Sequence, residues 1–251
     1  MMWVKGELLT DVDAAGVDPT GQLERAVQPV PFDRRAWFRS IWRHDGSVLL
    51  ICRAASEGAL CWLFLKREGP SAASSLTNAF SPTFRPVFSG NPDAERQRAM
   101  LVAIARRLRM ARPRIASLTL SPVPDRDGSA SLLQNALQAA GWIVVAHEIS
   151  ASWSANVVGQ SFEAYWAARP GHLRSSFRDE LAKASFDTQV FTRVDADAWK
   201  ALEETCRTGS IPEADCSGFL EEMAAAESEV GCLRLGLCRV DETVAAAQLW
   251  T

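Results

Sequence analysis

Short apolar runs alternate along this chain with stretches of helical period, and the two patterns lay out its elements. Val48–Arg53 and Leu60–Lys66 are near-continuous apolar runs joined through Ser56-Glu57-Gly58, which predicts two central strands in an antiparallel hairpin. Ahead of them, Asp33 to His44 places Ala36, Trp37, Ile41 and Trp42 on one side of a short helix. Leu76–Phe88 is broken by Pro82 and Pro86, so it predicts a short strand and an extended loop. Asn91-Pro92-Asp93 then opens a helix with face Ala94, Gln97, Leu101, Ile104, Ala105 and Leu108, stopping before Pro113. Ile115–Leu120 predicts a buried strand. Ser129 is placed as the cap of a helix through Leu133 and Leu137 that Gly141 ends, and Trp142–Trp153 predicts a long strand.

The second half begins with a Ser161–Pro170 helix, a Pro-Gly break and a helix over Gly171–Ala184. Thr188–Val194 predicts a strand, Ala196–Arg207 a helix and Phe219–Ala226 a second helix. Cys232–Val240 and Thr243–Trp250 then predict two strands across the short polar turn Asp241-Glu242. The fold class is α/β, a mixed antiparallel and parallel sheet flanked by helices. Similar element order in the two halves, without sequence self-similarity, gives a first domain over 1–154, a helical connector over 155–186 and the first half of a second domain over 187–251.

Composition narrows the function classes. A net charge of −3 in 251 residues exerts no global pull on nucleic acid or an anionic membrane. Neither nucleic acid nor a membrane is therefore expected as a partner. Seven arginines between Arg96 and Arg114 crowd one region, but no aromatic platform interleaves with them, so a solvated helix back is the stronger reading. The N-terminus lacks a basic leader with a long apolar run. The six cysteines form no C-x-x-C or framework, so reduced, mostly buried thiols and a cytoplasmic location are expected. The three histidines lack metal spacing, and neither a P-loop nor G-x-S-x-G nor G-x-G-x-x-G is present.

Two segments carry a family resemblance. One is the closing pair, Leu233-Arg-Leu-Gly-Leu237 followed by Val244-Ala-Ala-Ala-Gln-Leu-Trp250. The other is Tyr165-Trp-Ala-Ala-Arg-Pro-Gly-His-Leu-Arg174, which leads into a helix carrying Arg178 and Lys183. Together they resemble GNAT-type acyltransferases of the CelD-like branch, the one named for cellulose biosynthesis and related to Fem proteins. The resemblance implies tandem GNAT-like domains and transfer of an acyl group from acetyl-CoA or another acyl-CoA to a small-molecule amine, such as that of a sugar or polysaccharide precursor. It also implies that the second domain is incomplete, ending before the strand that polarises the thioester and the loop that holds the coenzyme A pyrophosphate. The expectation is an inactive fragment that binds no acyl-CoA tightly and self-associates through its exposed last strand. A non-catalytic GNAT-like binding module and a Fem-like aminoacyl transferase stand as alternatives.

Four residues are candidate substrate contacts, and no catalytic residue is assigned. Arg174 and Arg178 are four apart on one helix face, where a positive stripe either meets phosphates of coenzyme A or of a sugar carrier, or is a solvated linker surface. Gln248 and Trp250 share a strand face with Ala246 and either border a groove or pack under a helix. In the first half, Ser89-Gly90-Asn91-Pro92 sits where a GNAT fold holds pyrophosphate. It has one glycine, a proline without N–H and acids at Asp93 and Glu95, so no intact cofactor site is expected there.

Overall fold

A computed structural model describes residues 4–149, 157–181, 185–208 and 216–250. The chain divides into two compact units, Met1–His147 and Glu148–Thr251. The fold is α/β, with a mixed sheet flanked by helices.

In the first unit the hairpin is central. Strands β1 (Lys5–Leu9), β2 (Leu49–Ser56), β3 (Ala59–Arg67), β4 (Ala72–Ser75), β5 (Val87–Ser89) and β6 (Ser117–Thr119) form one sheet in the order β1-β2-β3-β4-β6, with β5 also on β3. All neighbours are antiparallel except β4 and β6, which run parallel. The near-continuous apolar runs of β2 and β3 follow from burial on both faces. Leu50, Cys52, Ala54, Cys61 and Leu63 meet helix α2 (Ala94–Arg109) through Met100, Leu101, Ile104 and Leu108. The opposite face holds Phe64, whose ring stacks at 3.9 Å on Phe38 of helix α1 (Arg35–Asp45), and Trp62, whose indole N–H donates to the Val17 carbonyl at 2.6 Å. Helix α3 (Ser129–Ala139) packs on α2 through Leu137 and Ala140 against Ala105.

Several expectations shift in this unit. The inner side of α1 is Trp37, Phe38, Ser40 and Ile41, with Ala36 turned to solvent and Trp42 half-buried. Lys5–Leu9 makes a strand ahead of every element that the sequence pattern predicts, where Gly6 lets the backbone lie against the Ala103 carbonyl of α2. Leu76–Phe88 contributes only its last residues to a strand, and β4 lies just upstream of it. The Ile115–Leu120 strand shrinks to Ser117–Thr119 at the sheet edge. Ser129 is the first residue of α3 rather than its cap: Gly128 occupies the cap at φ 79°, and the Ser129 N–H donates to Asp127 Oδ1 at 2.9 Å.

The long strand expected over Trp142–Trp153 is corrected for Trp142–Ile149, which belong to no element, while 150–153 lie outside the described residues. Its alternation is real. Trp142 and Val144 pack toward Ala105, Leu137 and Ala140, while Ile143 is 96% exposed. The Trp142 indole donates to the Ala105 carbonyl at 3.1 Å, so the segment is pinned to helices rather than paired in a ladder.

The second unit holds helices α4 (Phe162–Ala167) and α5 (Gly171–Leu181), strand β7 (Phe186–Phe191), helices α6 (Ala196–Thr208) and α7 (Cys216–Glu229), and strands β8 (Arg234–Val240) and β9 (Thr243–Trp250). The last three strands pair antiparallel in the order β7-β8-β9. Asp241 and Glu242 form the two-residue turn with both φ positive, 48° and 67°, the hand that suits a twisted hairpin. Strand β7 begins and ends earlier than its apolar pattern suggested, because the Val194 N–H donates to Ser228 Oγ and Asp195 caps α6 through the Ala198 N–H.

Helices α6 and α7 cover one face of this sheet. Ala198, Trp199, Leu202 and Ala224 bury Leu235 and Leu237, with Phe191, Ala247 and Leu249 packed at the margin. By register the other face is built from Val190, Gly236, Cys238, Ala246 and Gln248, with Arg234 and Trp250 in the next row. Among the described residues no helix of the chain is long and apolar enough to cross a membrane.

Candidate functional site

The period of a strand decides where Gln248 and Trp250 point. Ala247 and Leu249 take the face under α6, so Gln248 and Trp250 take the open one, where Trp250 is 61% exposed. The Trp250 indole N–H donates to Gln248 Oε1 at 3.3 Å, which brings the two side chains together at the end of the face. Gly236 stands opposite Gln248, and a side chain there would meet only the Gln248 carbonyl, at 4.0 Å. The centre of the face is therefore a shallow floor of small residues with an amide and an indole at its rim.

Arg174 and Arg178 project from α5 into solvent. Among the described residues neither guanidinium makes a hydrogen bond or ion pair, and neither is joined that way to Gln248 or Trp250. Beside them Phe162, Trp166 and Phe177 form a small aromatic cluster, Trp166 and Phe177 meeting edge to face at 5.1 Å.

At the start of α2 one of the free backbone donors is already engaged by a carboxylate. Asp93 accepts from the Arg96 N–H at 2.8 Å, and Pro92 supplies no N–H. Gly90, at φ 75°, presses so closely on Gly58 and Ala59 that a Cβ would collide with the Gly58 carbonyl oxygen. This glycine serves backbone packing, and the carboxylate holds the place an anion would take.

A different constellation lies in the first unit, in an open cleft of about 490 Å³ between the starts of α2 and α3. Arg85 enters it from the segment before β5. Its guanidinium grips Asp33, with Nε 3.1 and 3.2 Å from the two carboxylate oxygens and Nη2 2.5 Å from Oδ2, and reaches Asp127 Oδ2 through Nη1 at 3.1 Å. These Asp33 bonds, ahead of the Asp127 contact, hold the guanidinium proton more tightly than usual. Burial pushes the Asp127 carboxyl up, but the Ser129 bonds and Arg85 together bring it below the ordinary carboxylate range. Gln28 and Gln97 complete the polar lining, and Val87, Phe88 and Leu132 the apolar part.

Sequence reasoning missed this cleft, because Gln28, Asp33, Arg85, Gln97 and Asp127 are scattered over a hundred positions with no motif spacing. One signal was present. Gln97 falls on the face of a helix that is otherwise apolar, and its amide is anchored there by donating to the Pro92 carbonyl at 2.9 Å.

The thiols offer no nucleophile in the core. Burial pushes Cys52 and Cys61 far above the ordinary thiol range, the neighbouring Cys52 adding to the effect on Cys61. Cys206 and Cys238 are half-buried and Cys232 is exposed, so fewer of the described thiols are buried than expected. Among the described residues no group of three or more His, Cys, Asp and Glu is placed to hold a metal ion. No family model matches the chain, and neither a curated protein nor a solved structure matches it.

Proposed function

We propose that the chain carries the scaffold of an acyl-CoA-dependent N-acyltransferase of the GNAT type, with tandem GNAT-like units and Gln248 and Trp250 at the groove for a small-molecule amine. The observation that carries this reading is the order of the second unit. A strand, two helices and an antiparallel strand pair, sheet order β7-β8-β9, leave one face covered and one open over Gly236 and Ala246. Small residues there let a substrate lie close to the sheet face, and the edge that β9 presents among the described residues offers main-chain groups for a strand-edge grip. In such a transfer the amine nitrogen attacks the thioester carbonyl, the C–N bond forms and the C–S bond breaks. The thiolate leaves with the electron pair, and the amine proton passes to a base or water. Backbone N–H groups aimed at the carbonyl oxygen stabilise the tetrahedral intermediate.

Residues 1–251 by themselves hold acyl-CoA weakly in this reading, since Asp93 occupies the donor end of α2. The test is thiol release from acetyl-CoA at millimolar concentration, where a weak site still turns over, with a panel of amines. Amine-dependent release that falls at least tenfold per folded molecule in Gln248→Ala and Trp250→Ala supports the reading. Absence of release with every amine ends it. One observation favours a binding module without turnover instead, the prebuilt polar cleft around Arg85.

A further inference from the structure

The charge of −3 on the whole chain averages two opposite halves. Residues 1–147 carry 18 Lys and Arg against 13 Asp and Glu, a net of +5, while residues 148–251 carry 9 against 17, a net of −8. The first unit taken alone is basic, so the weak pull expected of the average does not describe it.

Its excess is concentrated in one place. Elsewhere in this unit arginines meet carboxylates, Arg35 at Glu24, Arg39 at Asp13, Arg53 at Glu7 and Arg85 at Asp33 and Asp127. At the C-terminal end of α2, Arg106, Arg107, Arg109, Arg112 and Arg114 are all exposed, and among the described residues none of them is paired with a carboxylate. Arg109 donates to the Ala140 carbonyl at 2.7 Å and Arg112 to that of Ala111 at 3.1 Å, which leaves both charges uncompensated. The helix dipole favours cations in the last turn of α2 and accounts for Arg106, Arg107 and Arg109. Arg112 and Arg114 lie beyond the helix and gain nothing comparable.

Aliphatic side chains stand beside these charges. Met110, directly after α2, is 58% exposed. The Arg109 bond to Ala140 and the Trp142 indole bond to the Ala105 carbonyl hold the following segment against the same end of the helix. There Trp142 and Val144 turn inward, so Ile143, 96% exposed, and Val145, 70% exposed, turn out. Unpaired guanidinium groups and exposed aliphatic side chains together match an anionic bilayer, whose headgroups take the charge and whose acyl boundary takes the apolar part. A polynucleotide would answer the charge alone, because no aromatic platform is present for its bases.

We propose that the C-terminal end of α2, with the segment pinned against it, is a peripheral docking surface for an anionic lipid bilayer. The arginines sit among the headgroups, and Met110, Ile143 and Val145 enter the boundary with the acyl chains. The surface lies in the first unit and uses neither Gln248 nor Trp250, so it and the transferase reading stand or fall separately.

The experiment is co-sedimentation of the full chain with vesicles of pure phosphatidylcholine and of phosphatidylcholine containing about 30% phosphatidylserine. Binding to the anionic vesicles alone is expected, and it should be lost in about 0.5 M NaCl. Arg106→Gln with Arg114→Gln removes two exposed charges and should weaken it about twentyfold. Arg193→Gln with Arg207→Gln makes the same charge change in the second unit and should leave it within about twofold of wild type. Ile143→Ser changes no charge and should weaken binding about threefold, which a purely ionic contact would not show. Equal binding to the two vesicles, or binding to neither, overturns the proposal. So does tighter binding to a DNA duplex than to the anionic vesicles, or an equal loss in the two arginine pairs.

Discussion

Arg85 neutralises a buried carboxylate in the first unit. Asp33 is 7% exposed at the end of a single 3₁₀ turn, Pro31–Asp33, and Arg85 supplies the guanidinium beside it. Truncating Arg85 to Ala strands that charge and should cost about 2 kcal/mol in urea unfolding, less than a fully buried pair because Arg85 is itself partly solvated. Asp127 gives the pH signature. Its carboxyl is lowered in the folded state, so its contribution is present above the unfolded value. That contribution disappears as pH falls through the folded one, below about pH 4. Asp127→Asn should therefore lose about 0.5 kcal/mol at pH 7, and the gap to wild type should close in acid. A gap that widens as the pH drops would mean that Asp127 is not held ionised by Ser129 and Arg85. None of these pairings could be read along the sequence, since Asp33, Arg85 and Asp127 meet only after three separate segments are folded together.

At the scale of elements, the two faces of the β7-β8-β9 sheet make opposite predictions. Leu235 and Leu237 are buried under α6 and α7, so replacing either by Ala should cost about 2–4 kcal/mol. Gln248→Ala and Trp250→Ala lie on the open face and should each change the stability of the isolated chain by less than about 1 kcal/mol. Chemical denaturation of the four variants checks the contrast. A Trp250→Ala loss as large as that of Leu235→Ala would place the indole in the core instead. Elements with strong local signals were legible: the β2–β3 hairpin, α2, α6 and the β8–β9 pair fall close to where period and breakers put them. Trp142–Ile149 was not, because alternation reports which side chains face inward and says nothing of whether a partner strand is in reach. Lys5–Leu9 escaped for the converse reason, since its sequence is mixed and its strand exists through pairing with β2.

For the whole molecule, each unit has a core of its own, one drawn from Leu50 to Ala136 and the other from Ala198 to Leu237. Limited proteolysis should give a resistant fragment containing the first of these and ending beyond Trp142, whose indole is tied to α2. Early cutting within α2 or the β2–β3 hairpin would contradict that division. Strand β9 is an edge among the described residues, and Thr243–Trp250 carries neither charge nor proline to blunt it. The same pattern was visible in the sequence. Its exposure follows only from the strand order. Light scattering of residues 1–251 should show association that rises with concentration and falls in Ala246→Lys, which sets a charge on the open face.

The most direct measurement of the central claim is calorimetric titration of acetyl-CoA into monodisperse 1–251. The scaffold is proposed to be that of an acyltransferase, while the start of α2, where the resemblance would put a pyrophosphate cradle, is occupied by Asp93, lacks an N–H at Pro92 and is tightly packed at Gly90. The account predicts no stoichiometric binding at micromolar concentrations. Micromolar, one-to-one binding would contradict it, and would place a cofactor cradle elsewhere in residues 1–251.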